Sequence, residues 1–197
     1  MMLKELLKDY TLILASGSPR RKQFFEEMDL DFEIRLKPID EKYPLNLKGA
    51  EISDYLCRLK ASTFEGTLKT QEILITSDTV VWHNQTSLAK ASNASDAFKM
   101  ISQLSGDWHE VITSVCFTTT KKQIVKNNST EVKFKNLTPE EIQYYIDNFS
   151  PFDKAGAYGI QEWLGLIGIE EIRGSYTNVV GLPTKLVYDM LQNMVVN

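Results

Sequence analysis

The sequence predicts an α/β fold, in which strands and helices alternate along the chain. Alternation of apolar and polar residues over 31–36 is typical of a strand, whereas the apolar residues between 52 and 64 have helical spacing. The 197 residues are 43% hydrophobic and 24% charged, which is ordinary for a globular protein with a sizeable core. No repeat or low-complexity tract divides the sequence, so we predict a single domain over residues 1–197.

The secondary structure of the first half of the chain is predicted from the spacing of its apolar residues and from the positions of its glycines and prolines. In chain order we predict a helix over 19–29, a strand over 31–36, a loop over 37–47 and a helix over about 52–64. Ser18 and Pro19 are the residue types preferred at a helix N-cap and first helical position. Residues 72–82 are rich in strand formers, and we expect the polar segment 77–79 to interrupt them.

The second half begins with equally clear patterns. We predict a helix over 94–104, strands over 108–120 and 123–134, a helix from 139 and a final helix over about 183–194. Thr138, Pro139 and Glu141 form the sequence signature of a capped helix start. Between the helix that begins at 139 and the final helix, residues 153–183 are rich in glycine, which predicts tight turns and close backbone approach rather than helix.

Composition excludes several classes of function. The net charge of −4 and the isoelectric point near 5.3 argue against a nucleic-acid or anionic-membrane binder. Cys57 and Cys116 lack a metal-binding spacing, so we expect reduced, packed thiols. The first residues lack the pattern of a signal peptide and no apolar run has the length of a membrane span, which predicts a cytoplasmic protein.

A turn with two serines and two arginines follows the apolar run 12–14. Ser16, Ser18, Arg20 and Arg21 lie where a strand gives way to a helix start. Free N–H groups and the dipole at a helix start favour an anion, and guanidinium groups suit phosphate. The segment therefore indicates a polyphosphate site, although it matches neither a P-loop nor a dinucleotide fingerprint. The alternative is a capped helix with solvated arginines.

Asp78 is the second candidate, because an acid within an apolar stretch is poorly explained by packing. It could hold a divalent metal, activate water, or do both. Equally, it could cap a turn between two strands.

Four further residues carry weaker signals. Lys60 and Lys90 lie beside small residues and could contact phosphate, or could be solvated. Glu41 belongs to an acidic loop that could ligate a metal or face solvent. Gln161 ends the glycine-rich block 153–161 and offers both a donor and an acceptor to a base, although such a block also suits a strand and bend. His83 and His109 lack the spacing of a metal pair and are expected to be structural or surface residues.

Four motifs occur in register: 15–21 (ASGSPRR), 77–81 (SDTVV), 153–161 (DKAGAYGIQ) and 174–183 (GSYTNVVGLP). With them the chain resembles the Maf family of nucleoside triphosphate pyrophosphatases over about residues 11–195. The resemblance implies a mixed twisted sheet with flanking helices, in two lobes around a deep cleft, as in inosine triphosphatases. It also implies metal-dependent hydrolysis, with Mg²⁺ or Mn²⁺, of a nucleoside triphosphate to the monophosphate and pyrophosphate.

The resemblance also implies roles for the candidate residues. Asp78 matches the proton acceptor and, with Glu41, would hold the metal. The residues expected at the phosphates are Ser16, Ser18, Arg21, Lys60 and Lys90. Those expected to choose the base are Arg20, Thr79 and Gln161, and together they resemble the branch that acts on dTTP and UTP. The chain departs from the family pattern at Ala91 and at Glu162, where proline and glycine are usual.

Two alternatives to this function remain open. A nucleotide-binding regulator of cell division and septum formation would bind without turnover, but a pure sensor has no need of a water-activating acid such as Asp78. An enzyme with the same chemistry could instead act on modified pyrimidine nucleotides. We expect the nucleotide as the partner, no nucleic acid and no membrane. We also expect a homodimer that forms through exposed apolar residues of the C-terminal part.

Overall fold

The computed structural model describes residues 2–196 and confirms the α/β class. Within these residues there are eight helices and seven strands. The helices are α1 (Leu3–Leu6), α2 (Pro19–Glu27), α3 (Ala50–Ser62), α4 (Ala94–Leu104), α5 (Pro139–Phe149), α6 (Trp163–Gly168), α7 (Tyr176–Val180) and α8 (Thr184–Val196). The strands are β1 (Thr11–Leu14), β2 (Phe32–Ile34), β3 (Glu72–His83), β4 (Thr86–Leu88), β5 (Trp108–Thr118), β6 (Gln123–Phe134) and β7 (Ile169–Arg173).

The strands form one mixed sheet in the order β2-β1-β3-β5-β6-β7, with β4 paired to β3. β1 is parallel to β2 and β3, whereas β4 is antiparallel to β3 and β7 to β6. Of the described residues, 2–78, 113–128 and 181–196 form one compact unit, and 79–112 and 129–180 form a second. Because β3, β5 and β6 each contribute to both units, no linker in the sequence marks the division.

The first unit buries both faces of its part of the sheet. Alternate residues of a strand point to opposite faces, so Leu12 and Leu14 enter one apolar cluster while Ile13 enters another. The first cluster packs against α1, α2 and α8. The second includes Cys57 and Ala61 of α3, together with Leu74 of β3. The face of β3 that carries Leu74 is therefore covered by α3.

The second unit has its own core, built from α4, α5, α6 and the strands beside them. The motif at 174–183 contributes Asn178, whose buried side-chain amide donates to Val111 O at 2.8 Å and to Thr130 Oγ1 at 3.0 Å. Gly174 has a φ of +133°, and a Cβ there would lie 2.7 Å from Thr130 Oγ1. This part of the motif is thus explained by packing against β6.

Two expectations about secondary structure are wrong. β3 runs without interruption through Asp78, because it lies between β1 and β5 and its backbone is paired along the sheet. Asp78 therefore does not cap a turn. The glycine-rich stretch 153–183 contains α6, β7 and α7 as well as turns. In α6, Gly165 has no side chain because a Cβ would lie 1.9 Å from Ile160 O.

The predicted caps and thiols are confirmed. The Ser18 hydroxyl accepts from Arg21 N–H, with Pro19 opening α2. Glu141 N–H donates to Thr138 Oγ1 at 3.2 Å, and Thr138 N–H donates to Glu141 Oε2 at 2.9 Å, which completes the capping box. Both cysteines are buried and free. None of the helices in residues 2–196 has the length and apolarity to cross a membrane.

His109 is a buried structural histidine of the second unit, as expected. Its Nε2 shares a hydrogen bond of 2.6 Å with the Tyr158 hydroxyl, and its ring stacks on Phe134. Within the described residues its Nδ1 has no hydrogen-bond partner. Burial lowers the pKa of His109 from 6.5 to about 3, because the charged ring would lose its hydration.

His109 is expected to make stability depend on pH. Between pH 6.5 and about 3 the unfolded chain binds a proton here and the folded protein does not. The free energy of unfolding should therefore decrease by about 1.4 kcal/mol for each pH unit of acidification in that window. Urea unfolding of the wild type and of His109→Asn between pH 7 and 4 measures this. Equal slopes for both proteins would contradict the prediction.

Candidate active site

Asp78 is the buried acid at the centre of the candidate site. It follows Leu74 and Thr76 on the face of β3 that α3 covers, and it is 8% exposed. Its Oδ1 accepts a hydrogen bond of 2.6 Å from Lys60 Nζ. Burial raises the pKa of Asp78 above its ordinary value, and the cations of Lys60 and Arg21 oppose this with a smaller effect. A carboxylate with a raised pKa is a stronger base.

Lys60 places a cation between two carboxylates. From the last turn of α3, its Nζ lies 2.6 Å from Asp78 Oδ1 and 3.0 Å from Glu41 Oε1. The pairing stabilises both charges in a partly buried position. The loop 37–47, expected from its prolines, thus brings Glu41 to the acid on β3.

Polar contacts fix α3 against the sheet near Lys60. Thr76 Oγ1 donates a hydrogen bond of 2.6 Å to the backbone oxygen of Cys57. Cys57 lies three residues before Lys60 on α3. Nearer the start of the helix, Ser114 Oγ donates to Asp54 Oδ1 at 2.6 Å. These contacts restrict sliding of α3 and hence movement of the lysine. Thr76 was not predicted as a site residue, because its only signal in the sequence is a polar residue within an apolar strand.

Arg21 is held in the first turn of α2 by three acceptors. Its Nε donates to Gly181 O at 2.8 Å, and its Nη1 donates to Ser77 O at 3.0 Å and Ser16 Oγ at 3.4 Å. Burial lowers its pKa, with Asp78 acting in the opposite direction, but a guanidinium remains charged. Gly181 has a φ of +124°, a backbone conformation that favours glycine. Sequence reasoning missed this acceptor because it lies 160 positions away.

The two serines organise the turn between β1 and α2. Ser18 caps the helix, and its own N–H donates to Ser16 Oγ at 3.3 Å. Ser16 is buried and Ser18 half-buried. Arg20 follows on α2 and is half-buried. The hydroxyls thus support the turn and the Arg21 side chain, next to a helix N-terminus that favours an anion.

Seven of the predicted site residues belong to the first unit: Ser16, Ser18, Arg20, Arg21, Glu41, Lys60 and Asp78. Three others belong to the second unit. Thr79 follows Asp78 along β3 and is half-buried. Lys90 is exposed and its backbone pairs with Ala155 of the glycine-rich block. Gln161 is exposed after the buried run 156–160.

The donor set of the first unit suits a hard cation that arrives with a phosphate. Across residues 2–196 no group of three or more histidine, cysteine, aspartate or glutamate side chains could hold a metal on its own. Asp78 and Glu41, which share Lys60, supply two carboxylates. Mg²⁺ is commonly bound through one or two carboxylates together with substrate phosphates and water. The residues present therefore fit the ion that the sequence resemblance implies.

Comparison with known proteins identifies the family of the chain. The family model described as Maf-like protein matches residues 11–194, which span both units. The chain belongs to the Maf family. Maf relatives named dTTP/UTP pyrophosphatase include one from Flavobacterium johnsoniae, 58% identical over 98% of this chain and 100% of the relative. Another, from Christiangramia forsetii, is 55% identical over 98% of both chains.

More distant relatives extend the comparison. A Maf relative from Bacteroides thetaiotaomicron, also named dTTP/UTP pyrophosphatase, is 44% identical over 95% of this chain and 98% of its own. Among solved structures, the Staphylococcus aureus Ham1 protein is 12% identical with a TM-score of 0.48, covering 93% of this chain and 99% of that one. At that score the likeness has no bearing on function.

Proposed function

We propose that this Maf protein hydrolyses dTTP and UTP to the monophosphate and pyrophosphate. The observation that carries the proposal is the buried Asp78, paired with Lys60 Nζ at 2.6 Å in the same unit as Arg21. A base beside cations is what attack of water on a phosphoanhydride requires. Relatives that share 55–58% identity over 98% of the chain and bear the name dTTP/UTP pyrophosphatase support the choice of substrate.

In the proposed reaction, Asp78 orients a water molecule and takes its proton as the water oxygen attacks the α-phosphorus. The bond from that phosphorus to the pyrophosphate oxygen breaks, and pyrophosphate leaves with the bonding electrons. Arg21, Lys60 and Lys90 stabilise the negative charge of the phosphates and of the leaving group. Ser16 and Ser18 support the phosphate-binding turn. A divalent cation, Mg²⁺ or Mn²⁺, bound with Asp78 and Glu41 would offset further phosphate charge.

Base choice is assigned to Arg20, Thr79 and Gln161. The side-chain amide of Gln161 has one donating and one accepting side, which suits the N3–H and O4 of uracil and thymine. Modified pyrimidine triphosphates with the same edge would satisfy the same groups, so they belong to the proposed substrate class.

The remaining expectations are part of the same proposal. The net charge of −4 supports a nucleotide as the partner rather than a nucleic acid or a membrane. Exposed Tyr144, Phe152 and Leu166 in the second unit support a homodimer. A cytoplasmic location is supported by two free, buried thiols and by the nucleotide substrate.

The test is pyrophosphate release from dTTP, UTP, CTP, dCTP, ATP and GTP, with Mg²⁺, with Mn²⁺ and with EDTA. Metal-dependent release that favours dTTP and UTP, with the monophosphate as co-product, is the expected result. Preference for a nucleotide with another base would be consistent with the proposed reaction but would overturn dTTP and UTP as its substrates. If the folded protein binds a nucleotide but releases no pyrophosphate, the proposed enzymatic activity is wrong and a role as a regulator of cell division is favoured.

A further inference from the structure

One buried tyrosine contacts both flanks of Gln161. The Tyr145 hydroxyl accepts a hydrogen bond of 3.0 Å from Gly159 N–H, two residues before Gln161. The same hydroxyl donates to the carboxylate of Glu162, the residue directly after it. Tyr145 is 0% exposed in the core of the second unit. Its hydroxyl therefore joins the two ends of the segment 159–162.

An ion pair fixes the far end of this segment. Lys154 is 9% exposed, and its Nζ lies 3.1 Å from Glu162 Oε1 and 2.7 Å from Asp153 Oδ1. Such a pair is costly to break, because either partner alone would leave an uncompensated charge in a poorly solvated place. Burial and the neighbouring Glu162 raise the pKa of Tyr145, so its hydroxyl stays protonated and can donate.

The backbone of the segment is also tightly enclosed. A Cβ on Gly159 would lie 2.8 Å from Glu162 Cδ and 3.1 Å from Gln161 Nε2, so the glycine leaves room for both side chains. On the other side, Gly165 of α6 approaches the backbone of Ile160. The main chain on both sides of Gln161 is therefore fixed, although the Gln161 side chain itself is exposed.

Fixed placement matters for the choice between pyrimidines. Uracil and thymine present N3–H as a donor and O4 as an acceptor, whereas cytosine presents an N3 acceptor and an N4 donor. A glutamine amide that turns freely can satisfy either edge by exchanging its oxygen and nitrogen. A glutamine held in one orientation would leave unpaired polar groups against the wrong base, which is how hydrogen-bonding sites reject analogues strongly.

We propose that Tyr145 is a positioning residue for base selection. Its hydroxyl holds residues 159–162 so that Gln161 presents its amide in the orientation that suits uracil and thymine and excludes cytosine. This inference rests on the proposed role of Gln161 in the pyrophosphatase. Glu162 and Lys154 complete the arrangement, so a change at Glu162 should act in the same direction.

The test is Tyr145→Phe, which keeps the ring and removes the hydroxyl. We expect the ratio of kcat/KM for dTTP to that for dCTP to fall by about tenfold, mainly through faster dCTP hydrolysis. Glu162→Gln, which keeps the size but removes the charge, should lower the ratio in the same way. Tyr158→Phe is the matched control, because it removes another buried hydroxyl, whose partner is His109. It should leave the ratio unchanged.

Gln161→Ala separates failure of the inference from failure of the proposed function. If Tyr145 acts through Gln161, Tyr145→Phe should change the ratio in the wild type but not in the Gln161→Ala background. An unchanged ratio in both Tyr145→Phe and Glu162→Gln, while Gln161→Ala lowers it, overturns the inference alone. An unchanged ratio in Gln161→Ala overturns the inference together with the proposed role of Gln161. Absence of turnover in the wild type overturns the proposed function itself.

Discussion

Asp78→Asn is expected to lower kcat for dTTP and UTP hydrolysis by about 10²–10⁴-fold, the usual contribution of a positioned general base. Asparagine has nearly the same shape, but its amide cannot take a proton from water. The substituted side chain stays beside Lys60, so nucleotide binding should change much less than kcat. Steady-state pyrophosphate release, together with nucleotide binding by calorimetry, measures the two effects separately.

The loss of activity in Asp78→Asn should not be accompanied by a loss of stability. Burial raises the pKa of Asp78, which means that the ionised carboxylate is held in an unfavourable environment. Removing that charge leaves Lys60 paired with Glu41 at 3.0 Å. We therefore expect a melting temperature equal to or above that of the wild type. Asp189→Asn, which alters an exposed pair with Lys185, is the control and should preserve activity.

The raised pKa also gives the sign of the pH dependence. Only the deprotonated carboxylate can accept a proton, so kcat/KM should fall as the pH decreases through the pKa of Asp78. Because that pKa lies above its ordinary value, the loss should begin at a higher pH than for a solvated aspartate. Turnover like that of the wild type in Asp78→Asn would remove Asp78 from this role.

Local patterns were sufficient to predict much of the fold. The start of α2 at Pro19 and the capping box at Thr138 depend on residues within one helical turn, and the structure confirms both. The interruption of β3 at Asp78 was predicted from local polarity and is wrong. Its backbone pairing with neighbouring strands decided the conformation, and those strands are distant in sequence.

In the candidate site, too, local features could be predicted from the sequence and long-range contacts could not. Single residues such as Asp78 and Arg21 could be selected from their chemical type and their motifs. Their pairings could not be predicted, because the acceptor Gly181 O and the cation of Lys60 reach Arg21 and Asp78 only through tertiary packing. Lys60 itself was a candidate, but as a phosphate contact rather than as the partner of Asp78. Tyr145 carried no signal at all, since a tyrosine in an amphipathic helix is ordinarily a core residue. Its two hydrogen bonds to the flanks of Gln161 became visible only in three dimensions.

Lys60→Met is expected to have the second largest effect, a loss of about 10²–10³-fold in kcat/KM, as when one charge-stabilising donor is removed from a site. Methionine fills a similar volume without the cation. Asp78 and Glu41 would then lie in a partly buried place without their shared partner, and the pKa of Asp78 should rise further because Lys60 lowers it in the wild type. The acid limb of the pH profile should therefore move to higher pH.

Lys4→Met is the matched control for this substitution, because it removes an exposed lysine that is also paired with two acids, Asp29 and Asp31. Its effect on kcat/KM should be within about twofold, since exposed ion pairs contribute little. If Lys60 acts through Asp78 as well as through the phosphates, the losses in Lys60→Met and Asp78→Asn will not add in the double variant, as is usual for residues that act as a unit. If the losses in kcat/KM of the two single variants add fully in the double variant, Lys60 acts on the phosphates alone. If the acid limb of the pH profile is not shifted in Lys60→Met, Lys60 has no influence on the pKa of Asp78.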